Sequence, residues 1–478
     1  MVKFKNLISE KTDNTTKEQL ALYGQIDIET FSRIRFKKNQ TISLRDKLIN
    51  LIPSTTYLTH GIHNFYPAKF IPQVPRYVIE KYRLKNKIIL DPFAGSGTTA
   101  VESIITGNSN ISSDINPLTK FLIDVKLLTL DSSKEMKYYQ AISHHANRIF
   151  NNKSEFKPRW SNVDYWYPSD ILYRIKQIWG YIHSIDETIE PEIKTILKAA
   201  GLYISRKYSF GDDETPKLTQ SRFKKARIEK LVTTLNNHGH GVIINELKAK
   251  AHEYLKSCLE LNNRNELNFL KNTLEYDATQ PFLYVTNKSL DLFSKIIKPD
   301  TIDCIITSPP YLYAQEYFRS TKIDLYWLDL LSDTQVKCLT KNEIGQKKTK
   351  FSSKSDFIVD FQYYKSVLEK IIELSVDFKT QDNIQRFESY FSDIQFFLWF
   401  AKDVLRTGGI LSIFIGEPKV FGHPVNVKDI IIDMMEDCNF KIEETLFDLI
   451  KSRNLSKNRL NDNPAGIDGE WLIIGRKR

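Results

Sequence analysis

The sequence predicts an α/β protein: a doubly wound, mostly parallel sheet of about seven strands, with a largely helical segment inserted between its two halves. Three observations carry this. Short apolar runs of strand length end at polar residues, as at Ile88–Leu90 before Asp91 and Ile302–Thr307 before Ser308. The first run passes through a Gly-rich turn into helical periodicity and then into a second short strand, a unit that opens parallel sheets. From 131 to 275 strand signals give way to a charged helical pattern, which places that segment outside the sheet.

Residues 1–57 are polar, lack periodicity and carry a basic cluster at Arg33, Arg35, Lys37 and Lys38, the texture of an N-terminal arm. After the strand at Ile88–Leu90, Thr98–Ile105 reads as a helix closed by Gly107. Ile111–Ser113 is the second strand, ending at Asp114, and Pro117 starts the next helix. Beyond the insertion, strands are expected at Phe282–Val285 and Ile302–Thr307, and a polar, lysine-bearing stretch follows from Ser332 to Ser355. A helix over Asp393–Arg406 ends at Gly408-Gly409 and leads into a buried strand at Ile410–Ile415. Lys441–Leu449 and Trp471–Gly475 complete the sheet, separated by a basic loop. The expected units are an arm (1–57), a first sheet half (58–130), the insertion (131–275) and a second sheet half (276–478).

The chain has 478 residues, with 68 Lys+Arg against 58 Asp+Glu, a formal net charge of +10 and a pI near 9.0. Its 41% hydrophobic and 26% charged fractions exclude a chain disordered throughout. No apolar run reaches the roughly 18 residues of a membrane span, and none follows Met1–Lys5, so a cytoplasmic protein with no membrane partner is expected. Cys258, Cys304, Cys338 and Cys438 are scattered without a C-x-x-C pair, which reads as reduced thiols and no metal site. The basic surplus favours a polyanionic partner.

Two loops carry chemistry. In Asp91-Pro92-Phe93-Ala94-Gly95-Ser96-Gly97-Thr98 the glycines let a ligand approach the backbone, and the following helix N-terminus favours negative charge. Asp114, at the end of the next strand, can accept hydrogen bonds from ribose hydroxyls, so a nucleoside cofactor is implied. The second loop is Thr307-Ser308-Pro309-Pro310-Tyr311. Its prolines fix the backbone and remove two donors, leaving carbonyls free to accept from a substrate amine. Ser308 adds a hydroxyl, and Tyr311 a flat face for a base.

Together the loops resemble those of the S-adenosylmethionine-dependent DNA amino-methyltransferases, with their D-P-F-x-G-x-G-T and S-P-P-Y motifs. The serine form is similar to the cytosine-N4 branch, where adenine-N6 enzymes more often carry Asp or Asn. His60-Gly61-Ile62-His63-Asn64-Phe65-Tyr66-Pro67-Ala68-Lys69-Phe70 resembles the segment before the cofactor loop, and Glu316-Tyr317 with Trp327-Leu328 the helix after the catalytic loop. The resemblance covers 58–130 and 283–330 well, and Leu405–Gly416 and the last strand weakly. It implies a seven-stranded, Rossmann-like methyltransferase sheet and S-adenosyl-L-methionine as cofactor. Asp91, Pro92, Phe93, Gly95, Gly97 and Thr98 would form the loop at its methionine end, lined by Lys69 and Phe70, with Asp114 on the ribose. Asn287 stands in a turn where the family often has an acidic residue for the adenine amine. The motif order implies that the insertion is the target-recognition domain.

The chemistry agrees with these residue types. An aromatic amine is a poor nucleophile, and acceptors at Ser308 Oγ and the Pro309 carbonyl would favour the tetrahedral geometry that attacks a sulfonium methyl in line. Ring-carbon methylation would instead call for a cysteine after a proline, which is absent. The target base must leave the duplex, with Tyr311 as its stacking platform. The expected activity is cytosine-N4 methylation of double-stranded DNA in a restriction or defence system, with a possible cognate endonuclease, in a prokaryotic cytoplasm and on the nucleoid. Adenine-N6 methylation, a catalytically silent DNA-binding specificity subunit, and a protein or RNA amine as acceptor are the alternatives.

For phosphate contacts, residues 205–230 hold eight basic and four acidic residues, with Arg206, Lys207, Arg222, Lys224, Lys225 and Arg227 as candidates interleaved with Tyr208 and Phe223. Lys347, Lys348, Lys350 and Lys354, and Lys451, Arg453, Lys457 and Arg459, are two further candidate segments. The close histidine pairs His60/His63, His144/His145 and His238/His240 lack partners at metal spacing and read as ordinary polar residues. Glu192-Ile193-Lys194 matches the end of a nuclease signature but falls in a helical pattern. Tyr165, Trp166 and Tyr167 read as packing residues.

Overall fold

The computed structural model describes residues 52, 54–63, 65–67, 70–151, 154–213, 218–238, 240–265, 267–277, 279–313, 317–345, 365, 369, 378–420, 423–449, 467 and 469–478. Lys69, the basic cluster of the arm and the candidate lysines and arginines at 347–354 and 451–459 lie outside the described residues.

Alternation of apolar side chains builds the sheet. In strand β1 (Ile88–Asp91), Ile88 and Leu90 enter one core while Ile89 enters the core on the opposite face. In β5 (Ile302–Thr307), Ile305 joins the first core and Cys304 and Ile306 the second. In β6 (Leu405–Gly416), Leu411, Ile413 and Ile415 face the first, and Ile410 and Phe414 the second. Burial on both faces explains why these strands read as continuous apolar runs.

The remaining strands are β2 (Ser109–Ser113), β3 (Leu270–Lys271), β4 (Phe282–Thr286), the short β7 (Lys419–Val420) and β8 (His423–Pro424), β9 (Phe440–Leu449) and β10 (Gly469–Lys477). Eight of them form one sheet in the order β3-β4-β2-β1-β5-β6-β10-β9, while β7 and β8 pair separately. Every pairing from β3 to β6 is parallel, and β10 runs antiparallel to both β6 and β9. All seven expected strands are present. The eighth, β3, is only two residues long and pairs at the edge, too short for a periodicity to announce it.

Helices α1 (Gln73–Lys81) and α2 (Thr98–Ile105) begin the winding, and α3 (Leu118–Lys126) starts after Pro117 as its sequence indicates. The insertion is helical: α4 (Glu135–Arg148), α5 (Ser169–Ser184), α6 (Pro191–Lys207), α7 (Arg222–His238) and α8 (Gly241–Asn265). Its apolar residues share one core with Leu118, Leu122 and Val125 of α3, and with Phe318 to Leu331 beyond the catalytic loop. After α9 (Leu290–Phe293) come α10 (Tyr317–Ser320), α11 (Lys322–Trp327), α12 (Asp333–Thr340), α13 (Phe378–Val404) and α14 (Val427–Asp437). The helix expected over Asp393–Arg406 is corrected to α13, which is longer and stops at Val404; β6 has already begun at Leu405, before Gly408. Gly408 adopts φ +79°, a value that suits a helix C-cap, but here it lies within the strand, where its carbonyl accepts from Arg476.

Candidate active site

The strand order reverses between β1 and β5: the chain runs from β1 outward through β2 and β4, and from β5 outward through β6. Ligands bind in open α/β sheets at such a point, outside the strand carboxyl ends. Both loops singled out in the sequence leave from it, and they are joined there. Thr307 Oγ1 donates to Asp91 Oδ1 at 2.6 Å, and Phe93 N donates to the same oxygen at 3.1 Å. Asp91 is 1% exposed.

The cofactor loop is shaped by two left-handed glycines. Gly95 (φ +49°) donates its N–H to Asp114 Oδ2 at 2.8 Å, and a Cβ on it would meet the Tyr66 ring at 3.2 Å. Gly97 (φ +78°) lies against α3, where a Cβ would fall 2.3 Å from Ile123 Cγ1. Thr98 Oγ1 ties the loop to the Phe70 carbonyl at 2.9 Å, and the buried Lys126 Nζ donates to the Ser96 carbonyl at 2.6 Å.

A cavity of about 420 Å³ opens over these loops. Phe70, Pro92, Phe93, Gly95, Asp114, Ser308, Pro310 and Tyr311 line it, while Asp91, Gly97, Thr98 and Pro309 lie behind that wall. Asn287 is exposed and outside the wall; Lys288, Ser289, Leu290, Asp291 and Leu292 line it instead. The carboxylate on this part of the wall is Asp291, four residues after Asn287. The sequence reading also missed Tyr66, Asn116, Tyr313, Tyr317, Phe318 and the far wall formed by Asn342–Gly345 with Arg386, Asp393 and Phe396 of α13. Tyr66 and Tyr317 stood in segments already noted, whereas the far wall comes from stretches distant in sequence that only folding brings over the loops.

Burial pushes Asp91 up to about 6, against the hydrogen bonds from Thr307, Thr99 and Phe93 that favour its charged form. Asp114 is likewise raised to about 6 by burial, against the amides of Asn116 and Gly95. Tyr311 is held by its neighbours: its hydroxyl donates to Glu470 Oε1 at 2.6 Å, and Gly416 lies so close that a Cβ there would be 2.7 Å from the ring. Burial and then the Glu470 charge raise the Tyr311 phenol well above its ordinary range, so it stays a neutral donor.

A DNA methylase family model matches residues 6–120, which include the whole cofactor loop and Asp114. The chain is 26% identical to Type II methyltransferase M.MvaI of Kocuria varians over 298 residues, 59% of this chain and 60% of that protein. It thus spans less than two thirds of that relative. Type II methyltransferase M.AvaI of Nostoc sp. is 22% identical over 466 residues, 92% of both chains, and M.BsoBI of Geobacillus stearothermophilus is 23% identical over 374 residues, 68% and 67% of the two chains. These matches support an S-adenosylmethionine-dependent DNA methyltransferase family.

DNA methyltransferases of this family take their methyl group from S-adenosylmethionine, and the cavity fits that cofactor. The cofactor carries a sulfonium and an ammonium, and Asp114, Asp291, Glu343 and Asp393 line the wall with Asp91 behind it, against Lys288 and Arg386 as the cations. The Gly95 backbone meets the cavity without a side chain, as a close-lying ligand requires.

Of the basic candidates in the helical segment, the structure removes two from any DNA-facing set. Arg206, 3% exposed, donates to the Ser320 and Asp212 carbonyls and stacks over Phe65. Lys224, 6% exposed, donates to the carbonyls of Arg206 and Gly211 and to Asp213 Oδ1. These two fasten the loop between α6 and α7; composition could not separate them from their exposed neighbours. Lys207 is paired with Glu246 at 2.8 Å, while Arg222, Lys225 and Arg227 are exposed. His60 accepts or donates within a buried cluster with Glu102, and His145 bridges Tyr181 and Glu190. Lys194 of the nuclease-like tripeptide donates to the His183 and Ile185 carbonyls on a helix end. Trp166 and Tyr167 are buried as expected, but Tyr165 is 58% exposed, a correction to its reading as packing. Among the described residues no group of three His, Cys, Asp or Glu could hold a metal, and no helix is long and apolar enough to cross a membrane.

Proposed function

We propose that this protein transfers the S-adenosylmethionine methyl group to the exocyclic N4 amine of cytosine in double-stranded DNA, as the modification enzyme of a restriction system. The observation that carries the reading is Ser308: a hydroxyl rather than a carboxylate opens the Ser-Pro-Pro-Tyr loop, on the wall of the same cavity as Asp114 and the Gly95 backbone. The cofactor supplies an activated methyl on a sulfonium. Asp91 and Asp114 provide negative charge for its cationic and ribose ends. Ser308 Oγ and the Pro309 carbonyl accept the amine hydrogens and turn its lone pair toward the methyl. Tyr311, fixed by Glu470 and Gly416, offers its face to the extruded base. The exposed Arg222, Lys225 and Arg227 hold phosphates, within a helical segment that serves target recognition. The Type II methyltransferase names of the relatives support a modification role; a cognate endonuclease and action in the cytoplasm are part of the proposal.

Nucleoside mass spectrometry of DNA incubated with protein and cofactor tests this. N4-methylcytosine is expected, and N6-methyladenine without it would transfer the reading to the adenine branch. Ser308→Ala and Tyr311→Ala should each remove transfer while cofactor binding persists; unchanged rates in both would refute the site.

A further inference from the structure

Among the described residues most aromatic side chains are buried or partly so, but Phe223 at the start of α7 is 92% exposed. Its helix explains which face it presents. Lys224 and Ile228 are buried, and beside them round the helix Phe223, Arg227 and Lys230, at i, i+4 and i+7, form an exposed stripe. Arg222 and Lys225 flank the ring and are exposed as well. Glu229 is the one exposed carboxylate in this stretch of helix. The ring is therefore an apolar tip set among four cations.

The start of α7 is also firmly placed relative to the site. Gly211 and Gln220 form a β-bridge, Phe210 N donates to the Trp166 carbonyl at 2.8 Å, and the Gln220 side chain donates to the Tyr165 carbonyl. Tyr165 and Gln220 share a depression with Arg319 and Lys322, and Arg319 lies on the helix whose Tyr317 and Phe318 line the cofactor cavity. Phe223 thus follows closely on Gln220 of the depression, and Arg319 of that depression directly follows the cavity residues Tyr317 and Phe318 in the chain.

We propose that Phe223 is a DNA wedge: the ring enters a groove of the duplex and packs against a base step while Arg222, Lys225, Arg227 and Lys230 hold the phosphates on either side. Charge complementarity selects a polyanion as the occupant, and an apolar tip between cations suits partial unstacking of bases, which also eases extrusion of the target nucleotide. The inference rests on DNA being the substrate.

The test uses the full-length protein and a fluorescein-labelled duplex fragment shown to be methylated by the wild type, with binding followed by anisotropy across a salt series. Phe223→Ala should weaken binding about ten-fold, the usual worth of an aromatic–base contact. The slope of log affinity against log salt should not change, because no phosphate contact is lost. Phe223→Trp should keep most of the affinity, and Arg227→Ala should lower the slope by about one. Phe223→Ala binding like the wild type, on DNA that the wild type methylates, overturns the wedge alone. The wedge also falls if that variant keeps its DNA affinity but loses a protein–protein contact in sedimentation. A wild type that methylates no DNA overturns the functional reading beneath it.

Discussion

Thr307→Val removes one hydrogen bond at the point where the two loops meet, with almost no change in shape. Thr307 Oγ1 donates to Asp91 Oδ1 at 2.6 Å, and both residues are buried. A hydrogen bond to a charged group is worth about 1.5–3 kcal/mol, which corresponds to about one to two pKa units. Since that bond favours the carboxylate, its loss should carry Asp91 upward from about 6 to about 7–8. At pH 7 the ionised fraction would fall from about nine tenths to between a half and a tenth. If ionised Asp91 holds the cationic end of the cofactor, affinity at pH 7 should drop about two- to ten-fold by the same relation.

The assay is calorimetric titration with S-adenosylhomocysteine from pH 5.5 to 9. Wild-type affinity should be flat above about pH 7 and decline as the pH falls through about 6, where both Asp91 and Asp114 take up protons. In the variant the decline should begin one to two units higher. Titration of the ligand's own amine cancels in the ratio of the two proteins. Weakening by the same factor at every pH would refute the reasoning, because it would show that Thr307 acts through loop geometry and not through the charge of Asp91.

Glu470→Gln keeps an acceptor for the Tyr311 hydroxyl and should retain most of the methyl transfer. Glu470→Ala frees the ring, and Gly416→Ala drives a Cβ into it; both should lower single-turnover transfer ten-fold or more with cofactor affinity unchanged. Lys224→Met should destabilise the fold by about 3 kcal/mol in a denaturant titration, because it strands two carbonyls and Asp213, while leaving the salt slope of DNA binding alone. Gly97→Ala should lower the melting temperature markedly, since a Cβ meets Ile123 Cγ1 at φ +78°.

The sheet was legible because its strands are buried on both faces and so read as apolar runs, and because each active loop sits at a strand end marked by Asp, Ser or Pro. The cofactor and catalytic loops were legible for the same reason: their residues are contiguous. What could not be read was anything assembled from distant segments. Asn342–Gly345 and the α13 residues Arg386 and Asp393 close the cavity although no local pattern links them to the loops. Asn287 stands outside the wall, which Asp291 joins from the start of α9. Arg206 and Lys224 look in the sequence like their neighbours, and only the fold separates a lysine that fastens three oxygens from one that faces solvent.

The same burial that shapes the site sets a cost on it. Asp91 stays charged at neutral pH although its folded-state pKa, about 6, lies above the ordinary 3.8. Ionising it therefore opposes folding. The cost is present in full above about pH 6 and disappears as the pH falls from there through 3.8, where the unfolded chain is protonated as well. Asp91→Asn keeps an oxygen for Thr307 and Phe93 and removes the charge. It should stabilise the cofactor-free protein by an amount of order 2–3 kcal/mol near pH 7.5 and by almost nothing near pH 3.5. It should also weaken S-adenosylhomocysteine binding, the expected trade when a site holds charge in a dry environment for its ligand. Melting curves of the two proteins at both pH values decide the matter. An Asn variant that is less stable at pH 7.5 would show that Asp91 is retained for the fold, through a partner that needs its charge, and that the carboxylate is not held ready for a cationic cofactor.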